Sequence, residues 1–313
     1  MRRAIMKRDN DTNKLSRKFS PLTVVLLVVL ILYSLTVLGM IFYAVMTSLK
    51  LNTNAGYRYN KSTAYSLPTS LHFENFKAIF ENFFIKDVPK AYGTGTKVVK
   101  LTDMYLYTVL YCLGSALCQT TVQCVTAYLC AKFKYKLSKV VETIVIVVMI
   151  IPVVGSLPSE IQVSRDLGLY NHIFGMWVMK ANFLGMYFLI FIGVFKNISM
   201  TYTEAAKIDG ASNASIMLKI IFPLVRNVFL TVVLVNFIAF WKDYQTPLIY
   251  LESFPTVSYG LWQILFLSTP TNGMGRVPMR MAGSVLVVLP LIIVFLIFQK
   301  RLLGNLTMGG IKG

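Results

Sequence analysis

An uncharged apolar run near the start of the chain most constrains what this sequence can fold into. Leu22 to Met46 contains no Asp, Glu, Lys or Arg. As an α-helix the run would be about 37 Å long, which is enough to cross the ~30 Å hydrocarbon core of a bilayer. It is also too long for a cleaved signal peptide, and no small-residue cleavage site follows it. The run therefore predicts a retained membrane span.

Composition agrees with a membrane protein and excludes one other class. The 313 residues are 56% hydrophobic and 14% charged, against about 45–50% and about 25% in soluble domains. The net charge of +18 would suggest nucleic-acid binding only in a chain with a soluble basic domain. Here the basic residues lie mostly between apolar runs, so we interpret them as orientation signals and expect no nucleic-acid partner.

The apolar pattern predicts an all-α membrane protein with six transmembrane helices. The first helix occupies residues 22–47. The later spans are expected at Met104 to Ala131, Val140 to Leu157, Gly175 to Phe195, Asn227 to Leu251 and Met281 to Phe298.

Lysine and arginine in alternate links set the orientation. The head, residues 1–21, has seven of them, and residues 132–139 between spans two and three hold four lysines. The link between spans four and five and the tail are also basic. With six spans all four of these segments lie on the same side of the membrane, so both termini are predicted to be cytoplasmic. The same reading divides the chain into the head (1–21), the first helix (22–47), an external loop (48–103), a core with spans two to six (104–302) and a tail (303–313).

No site for a metal, a nucleotide or catalysis is predicted in this chain. Cys112, Cys118, Cys124 and Cys130 are six residues apart, about 9 Å along a helix, which is too far for a disulfide. The glycine-rich stretch Tyr92 to Lys97 lacks the spacing of a phosphate loop, and no strand is predicted before it, so it is expected to be an external turn. A membrane enzyme would need a partner motif for His72 or His172, and none is recognisable.

The most informative segment is the loop at residues 200–224. Glu204 begins a predicted short helix that Gly210 ends, and Ser212 can cap a second helix that ends near Pro223. Two short helices at an angle suit transmission of a push from a cytoplasmic partner, and the alanines Ala205 and Ala206 would let that partner approach closely. An amphipathic connector on the membrane surface is an equally open interpretation.

The motif Glu204-Ala205-Ala206, followed by Gly210 and Pro223, resembles the EAA loop of binding-protein-dependent ABC importer permeases, specifically the maltose-type sugar permeases. The resemblance covers nearly the whole chain. Further matching patches are Leu167-Gly168-Leu169-Tyr170-Asn171, Trp241-Lys242-Asp243, Pro247-Leu248, Pro255-Thr256, Tyr259-Gly260 and the terminus Met308 to Gly313.

The resemblance implies a type I ABC importer permease fold in a bacterial inner membrane. The chain would pair with a second, homologous permease subunit, two cytoplasmic ATPase subunits and an external substrate-binding protein, and would carry a carbohydrate. ATP and Mg would bind to the ATPase, leaving this chain without cofactor or catalysis. Glu204, Ala205, Ala206, Asp209, Gly210 and Pro223 would form the ATPase-coupling loop.

The resemblance also implies two further contact sites. The external segment Leu251 to Arg280 would meet the binding protein, with a loop at its tip formed by Thr269, Pro270, Thr271, Asn272 and Gly273. The C-terminal tail would reach the ATPase through Gly310, Lys312 and Gly313.

Polar residues inside a span are costly and are therefore candidates for the substrate pathway. Lys242 and Asp243 adjoin in span five between Trp241 and Tyr244, where the family usually has Asn beside the Trp. Lys242 could read acidic groups on a substrate, or extend to the outer interface. Trp241 and Tyr244 could stack on a sugar, or serve as ordinary interfacial aromatics.

Two other transporter classes compete with sugar import. An ABC permease for a non-sugar solute fits the same motifs. A secondary transporter driven by an ion gradient would require paired acidic residues near mid-membrane and inverted halves, and the spans contain few acids and no clear inverted halves.

Overall fold

The computed structural model describes residues 20–51, 66–133, 135–151, 155–267 and 274–306. Two strands are β1 (Phe84–Pro89) and β2 (Thr96–Lys100). The helices are α1 (Pro21–Ser48), α2 (Glu74–Asn82), α3 (Leu101–Lys132), α4 (Lys136–Ile150), α5 (Leu157–Asp166), α6 (Ile173–Lys180), α7 (Met186–Asn197), α8 (Thr201–Ile208), α9 (Asn213–Lys242), α10 (Gln245–Tyr250), α11 (Val257–Phe266) and α12 (Val277–Leu306).

Helices α1, α3, α9 and α12 are each long and apolar enough to cross a membrane. They correspond to predicted spans one, two, five and six. Predicted span three coincides with α4, which has 15 residues, and span four coincides with α6 and α7. The four long helices establish a membrane protein, while the count of six spans stays a prediction.

The prediction of one continuous helix for span four is wrong. Helix α6 ends at Lys180, and α7 begins only at Met186, after Gly185 at a φ of 131°. Non-helical backbone at membrane depth is tolerated where protein buries it. The buried Gln123 on α3 meets this need, because its amide nitrogen donates to the carbonyl of Leu184 over 3.3 Å.

Two predictions about span five are also wrong: its helix does not run from Asn227 to Leu251, because it ends at Lys242 and α10 follows, and the helix capped by Ser212 does not end near Pro223. Helix α9 runs unbroken from Asn213 to Lys242, and Pro223 lies inside it. Residues Ile216–Ile221 just before the proline are π-helical. Proline removes a backbone donor and crowds the preceding turn of an α-helix, so the wider π turn accommodates the ring and the helix continues.

The expectation of an all-α chain is wrong within residues 48–103, the segment predicted to be an external loop. Strands β1 and β2 pair antiparallel, with Ile85 opposite Val99 and a register shift before Val88. These three side chains are buried with residues of α11 and α12. Their clustering explains why the hairpin forms although neither strand has a long alternating pattern. The turn predicted within Tyr92 to Lys97 lies at the hairpin tip, but the expectation that no strand precedes it is wrong, because β1 ends at Pro89.

Helix α3 is the centre of the structure. It packs against α9, α7 and α6, while α1 packs against α12. Inside the bundle, Asn236 of α9 donates its amide to the hydroxyl of Thr120 on α3 over 3.0 Å, and both residues are buried. At another contact, the indole N–H of Trp177 on α6 donates to the carbonyl of Leu110 over 3.0 Å.

Gly114→Ala should destabilise the contact between α3 and α6. A Cβ at this position would lie 2.0 Å from the Trp177 ring, and overpacking of this kind costs about 1–3 kcal/mol. Thermal unfolding of the purified chain in detergent measures the loss. Gly39→Ala is the matched control, because a Cβ there meets nothing within 4 Å; equal melting temperatures for both variants would contradict the packing described.

Candidate functional site

The loop at residues 200–224 folds into a fixed two-helix corner, here called the knuckle (Thr201 to Ser215). Helix α8 ends at Ile208, and Gly210 follows at a φ of 77°. The Gly210 N–H donates to the carbonyl of Lys207 over 3.0 Å, and the Ala211 N–H donates to that of Ala206 over 2.9 Å. This pair of bonds is the Schellman motif, so the prediction that Gly210 ends the helix is confirmed.

The second half of the knuckle begins at Ser212, as the sequence predicted. Its hydroxyl oxygen accepts a hydrogen bond from the Ser215 N–H over 3.2 Å, which satisfies one free donor at the start of α9. Three residues, Asp209 to Ala211, therefore separate the end of α8 from the Ser212 cap of the next helix. The angle between α8 and α9 is set by these local bonds.

The knuckle is attached to the bundle at several points. Ala206 is buried in a cluster with Phe195, Ile216 and Ile221. The ammonium of the buried Lys132, at the end of α3, donates to the carbonyl of Ile198 over 2.6 Å. Helices α3, α7 and α9 thus all hold the knuckle, so a force applied to α8 would reach the bundle.

The opposite face of α8 is exposed. Ile208 is 87% exposed and Tyr202 is 54% exposed. Glu204 and Ala205 are also exposed, and neither Glu204 nor Asp209 forms an ion pair with another residue that the structure describes. The expectation that both alanines face a partner is therefore wrong, because Ala206 packs inside its own chain and only Ala205 is free for contact.

A second candidate site lies at the far end of α9. Trp241, Lys242 and Tyr244 line a cavity of about 240 Å³ together with Trp262 of α11. Trp241 is 3% exposed and donates its indole N–H to the carbonyl of Val287 over 3.1 Å, so it forms part of the cavity wall. Lys242 is exposed at the rim.

A row of aromatic rings runs from the cavity wall, where Tyr244 and Trp262 lie, to Tyr259 beside it. The centroids of Tyr244 and Trp262 are 6.0 Å apart with an angle of 11° between the rings, and Tyr259 and Trp262 are 6.2 Å apart at 18°. Trp262 and Tyr259 were not predicted as site residues. Their signal is the spacing Tyr259, Trp262, Phe266, which places three rings on one helical face.

Asp243 has a different role from its neighbours. One carboxylate oxygen accepts from the Thr246 N–H over 3.0 Å at the start of α10, and the other lies 3.5 Å from the Tyr111 hydroxyl. Asp243 forms no ion pair with another residue that the structure describes. The structure therefore brings together three of the four predicted pathway residues and turns Asp243 towards α3.

Two other predicted sites fall on residues that the structure does not describe. They are the loop Thr269, Pro270, Thr271, Asn272 and Gly273, and the tail residues Gly310, Lys312 and Gly313. Within the described ranges, no group of three or more His, Cys, Asp or Glu side chains is placed to hold a metal ion.

Comparison with known proteins identifies what the knuckle belongs to. Residues 123–306, which include the knuckle, α9 and the aromatic cavity, match the family described as binding-protein-dependent transport system inner membrane component. The chain belongs to this family. It is a permease component of an ABC importer in the bacterial inner membrane, and the predicted resemblance is confirmed.

Relatives and a solved structure extend the match beyond the family region. The permease is 25% identical over 265 residues to the melibiose/raffinose/stachyose import permease protein MelC of Bacillus subtilis, covering 84% of this chain and 89% of MelC. It is 26% identical over 267 residues to the maltodextrin transport system permease protein MalD of Streptococcus pneumoniae, covering 83% and 87%.

The fold has a counterpart among solved structures. A chain of a bacterial ABC transporter involved in the import of the acidic polysaccharide alginate superposes with a TM-score of 0.70 at 22% identity, covering 91% of this permease and 98% of that chain. At this identity the likeness establishes the fold of the permease.

Gly210→Ala should loosen the knuckle. A Cβ at Gly210 would meet nothing within 4 Å, so the cost is the left-handed backbone alone, roughly 1–2 kcal/mol. Hydrogen exchange measured by mass spectrometry should show faster exchange of the amides of residues 207–211. Gly193→Ala, within α7 and with equal space, is the control; unchanged exchange in Gly210→Ala would contradict the role given to the cap.

Proposed function

We propose that this permease forms a heterodimer with a second, similar permease subunit and moves an oligosaccharide inward, driven by two cytoplasmic ATPase subunits that bind ATP and Mg. The observation that carries the proposal is the knuckle. Helices α3, α7 and α9 hold it in place, and its helix α8 exposes Ile208 and Tyr202. A binding protein outside the cell delivers the substrate. The carbohydrate assignment is supported by the oligosaccharide substrates named for MelC and MalD.

Transmission of force follows from the way the knuckle is held. When an ATPase bound to the exposed face of α8 moves, Ala206 moves with that helix. The buried cluster at the start of α9 follows, because Ala206 packs in it. The same movement reaches α3 through the bond from Lys132 to Ile198. Since α9 continues without a break to Lys242, displacement at the knuckle is carried towards the aromatic cavity.

The orientation and the outlying segments belong to the same proposal. Six spans place both termini in the cytoplasm, with residues 48–103 outside as an external loop. The tail at 303–313 reaches the ATPase, and Thr269 to Gly273 meet the binding protein. The lysines at residues 132–139 support this side assignment, because basic residues in short links are retained inside.

The outer cavity is the proposed contact with substrate. Flat aromatic rings suit the apolar face of a pyranose, and Tyr244 and Trp262 in the cavity wall supply such a surface. Lys242 at the rim adds a positive charge that favours a sugar with acidic groups. The translocation path then runs from this cavity along α9 towards the knuckle.

Ile208→Glu should prevent the ATPase from binding. The glutamate carboxylate would be buried in an apolar contact without a partner for its charge. The affinity of the ATPase for the permease should therefore fall by at least about tenfold. Co-purification in detergent of the permease pair with the ATPase of the same organism measures it. Leu71→Glu, at an apolar side chain 58% exposed in the loop before α2, is the matched control.

Two outcomes of this experiment decide the proposal. Retention of the ATPase by the control and its loss from Ile208→Glu would support the knuckle as the docking site. Full retention by both variants would remove that role, and failure of the unmodified permease to bring down any ATPase would contradict ATP-driven import.

Lys242→Asn should change which sugars are carried. With the charge removed, uptake of an acidic oligosaccharide into proteoliposomes should fall severalfold relative to a neutral one, since a single exposed charge pair contributes about 0.2–1 kcal/mol. Lys86→Asn on the external hairpin is the control. An unchanged ratio of acidic to neutral uptake in Lys242→Asn would assign Lys242 to the membrane interface instead.

A further inference from the structure

A cavity of about 750 Å³ opens where α3, α4 and α7 meet beside the knuckle. Its lining is rich in lysine and also includes the backbone that leads into α8. The lining residues are Cys130, Ala131, Lys132, Tyr135, Lys136, Ser138, Lys139, Glu142, Lys196, Ile198 and Met200.

The charge of this cavity is strongly positive. Four lysines face one carboxylate, and that carboxylate, Glu142, is already paired with Lys196 over 3.0 Å. Lys132 is buried, with its ammonium on the carbonyl of Ile198. Lys136 and Lys139 are exposed on the first turns of α4. Three positive charges therefore remain without a balancing carboxylate in the lining.

A second cavity of about 410 Å³ adjoins the first and is apolar. Cys130, Tyr135 and Ser138 line both cavities. The remaining wall of the second cavity is mostly hydrophobic, formed by Thr126, Leu129, Phe133, Leu137 and Val141. Leu129 is 49% exposed and Leu137 is 68% exposed. A basic compartment thus continues into an apolar groove at the end of a membrane helix.

We propose that these two cavities bind one anionic glycerophospholipid. The phosphate lies among Lys132, Lys136 and Lys139, and an acyl chain occupies the groove beside Leu129 and Val141. Charge complementarity identifies this occupant, because a zwitterionic lipid leaves the basic cavity unbalanced and a soluble anion leaves the groove empty. Basic pockets beside helices on the cytoplasmic side are typical sites for acidic headgroups.

The position of the site gives the lipid a consequence for transport. Ile198 and Met200, which line the cavity, lead directly into α8, and the ammonium of Lys132 bonds to the first of them. A lipid phosphate at this ammonium would therefore affect the hydrogen bond from Lys132 to Ile198, which attaches the segment leading into the knuckle to α3. The inference rests on the proposed cytoplasmic placement of residues 132–139, but not on the identity of the transported solute.

Binding to the full purified chain in detergent tests the proposal. After removal of native lipid, native mass spectrometry compares phosphatidylglycerol with phosphatidylcholine of the same acyl chains. The chain should retain phosphatidylglycerol about tenfold better, since each nearby lysine contributes several-fold to the affinity for an acidic headgroup. Equal retention of the two lipids would overturn the proposal.

Two variants separate the site from general basicity. The double variant Lys136→Gln with Lys139→Gln should lose most of the preference for phosphatidylglycerol. The double variant Lys86→Gln with Lys90→Gln, on the external hairpin, removes the same charge at a distance and should retain it. Loss of preference in both, or in neither, would contradict the assignment, and an unchanged elution volume in size-exclusion chromatography shows that each variant is folded.

The source of the bound phosphate is distinguished by competition. Inorganic phosphate and glycerol phosphate at millimolar concentration should leave the lipid bound, because neither fills the groove. If either anion displaces the lipid, the site binds a soluble anion rather than a lipid, and the proposal is overturned. The measurement needs no ATPase and no sugar, so its failure leaves ATP-driven import untouched, and failed co-purification with an ATPase leaves the lipid result standing.

Discussion

Satisfaction of backbone hydrogen bonds in lipid is the constraint on which the rest of this structure depends. A helix can cross the bilayer alone, but the interruption between α6 and α7 exposes carbonyls that lipid cannot bind. Gln123 of α3 donates to one of them, at Leu184. Trp177 of α6 joins α6 to the same helix α3 by donating its indole N–H to the carbonyl of Leu110. Helix α3 therefore becomes the element against which the other helices of the core are placed.

The proposed transmission of force depends on rigidity at one point and continuity at another. The knuckle is rigid because a Schellman motif, the Ser212 cap and the buried Ala206 fix it independently. Helix α9 is continuous because a π-helical turn accommodates Pro223. With 30 residues it spans about 45 Å, enough to join the ATPase face to the aromatic cavity. The π turn, Ile216–Ile221, lies directly beside the knuckle.

Sequence reasoning succeeded where the signal is local. The apolar run at Leu22, the stop at Gly210 and the cap at Ser212 each depend on a few consecutive residues, and the structure has all three. It failed where a distant side chain decides the outcome. Nothing adjacent to Leu184 reveals the break in span four, because the compensating donor, Gln123, lies 61 residues away. Pro223 was expected to end a helix because a π turn cannot be recognised from residue types alone.

The sequence by itself determined that the chain lies in a membrane, which stretches form its four long helices, and where the short helix of the knuckle ends. Each follows from hydrophobic length or from residue types with strong local preferences. Only the tertiary structure decided which residues share a surface. It separated Ala206 from Ala205, turned Asp243 away from Lys242, and brought Trp262 of α11 onto Tyr244. The physical reason is that helix packing joins residues far apart in the chain, and burial at such contacts is not encoded by any single segment.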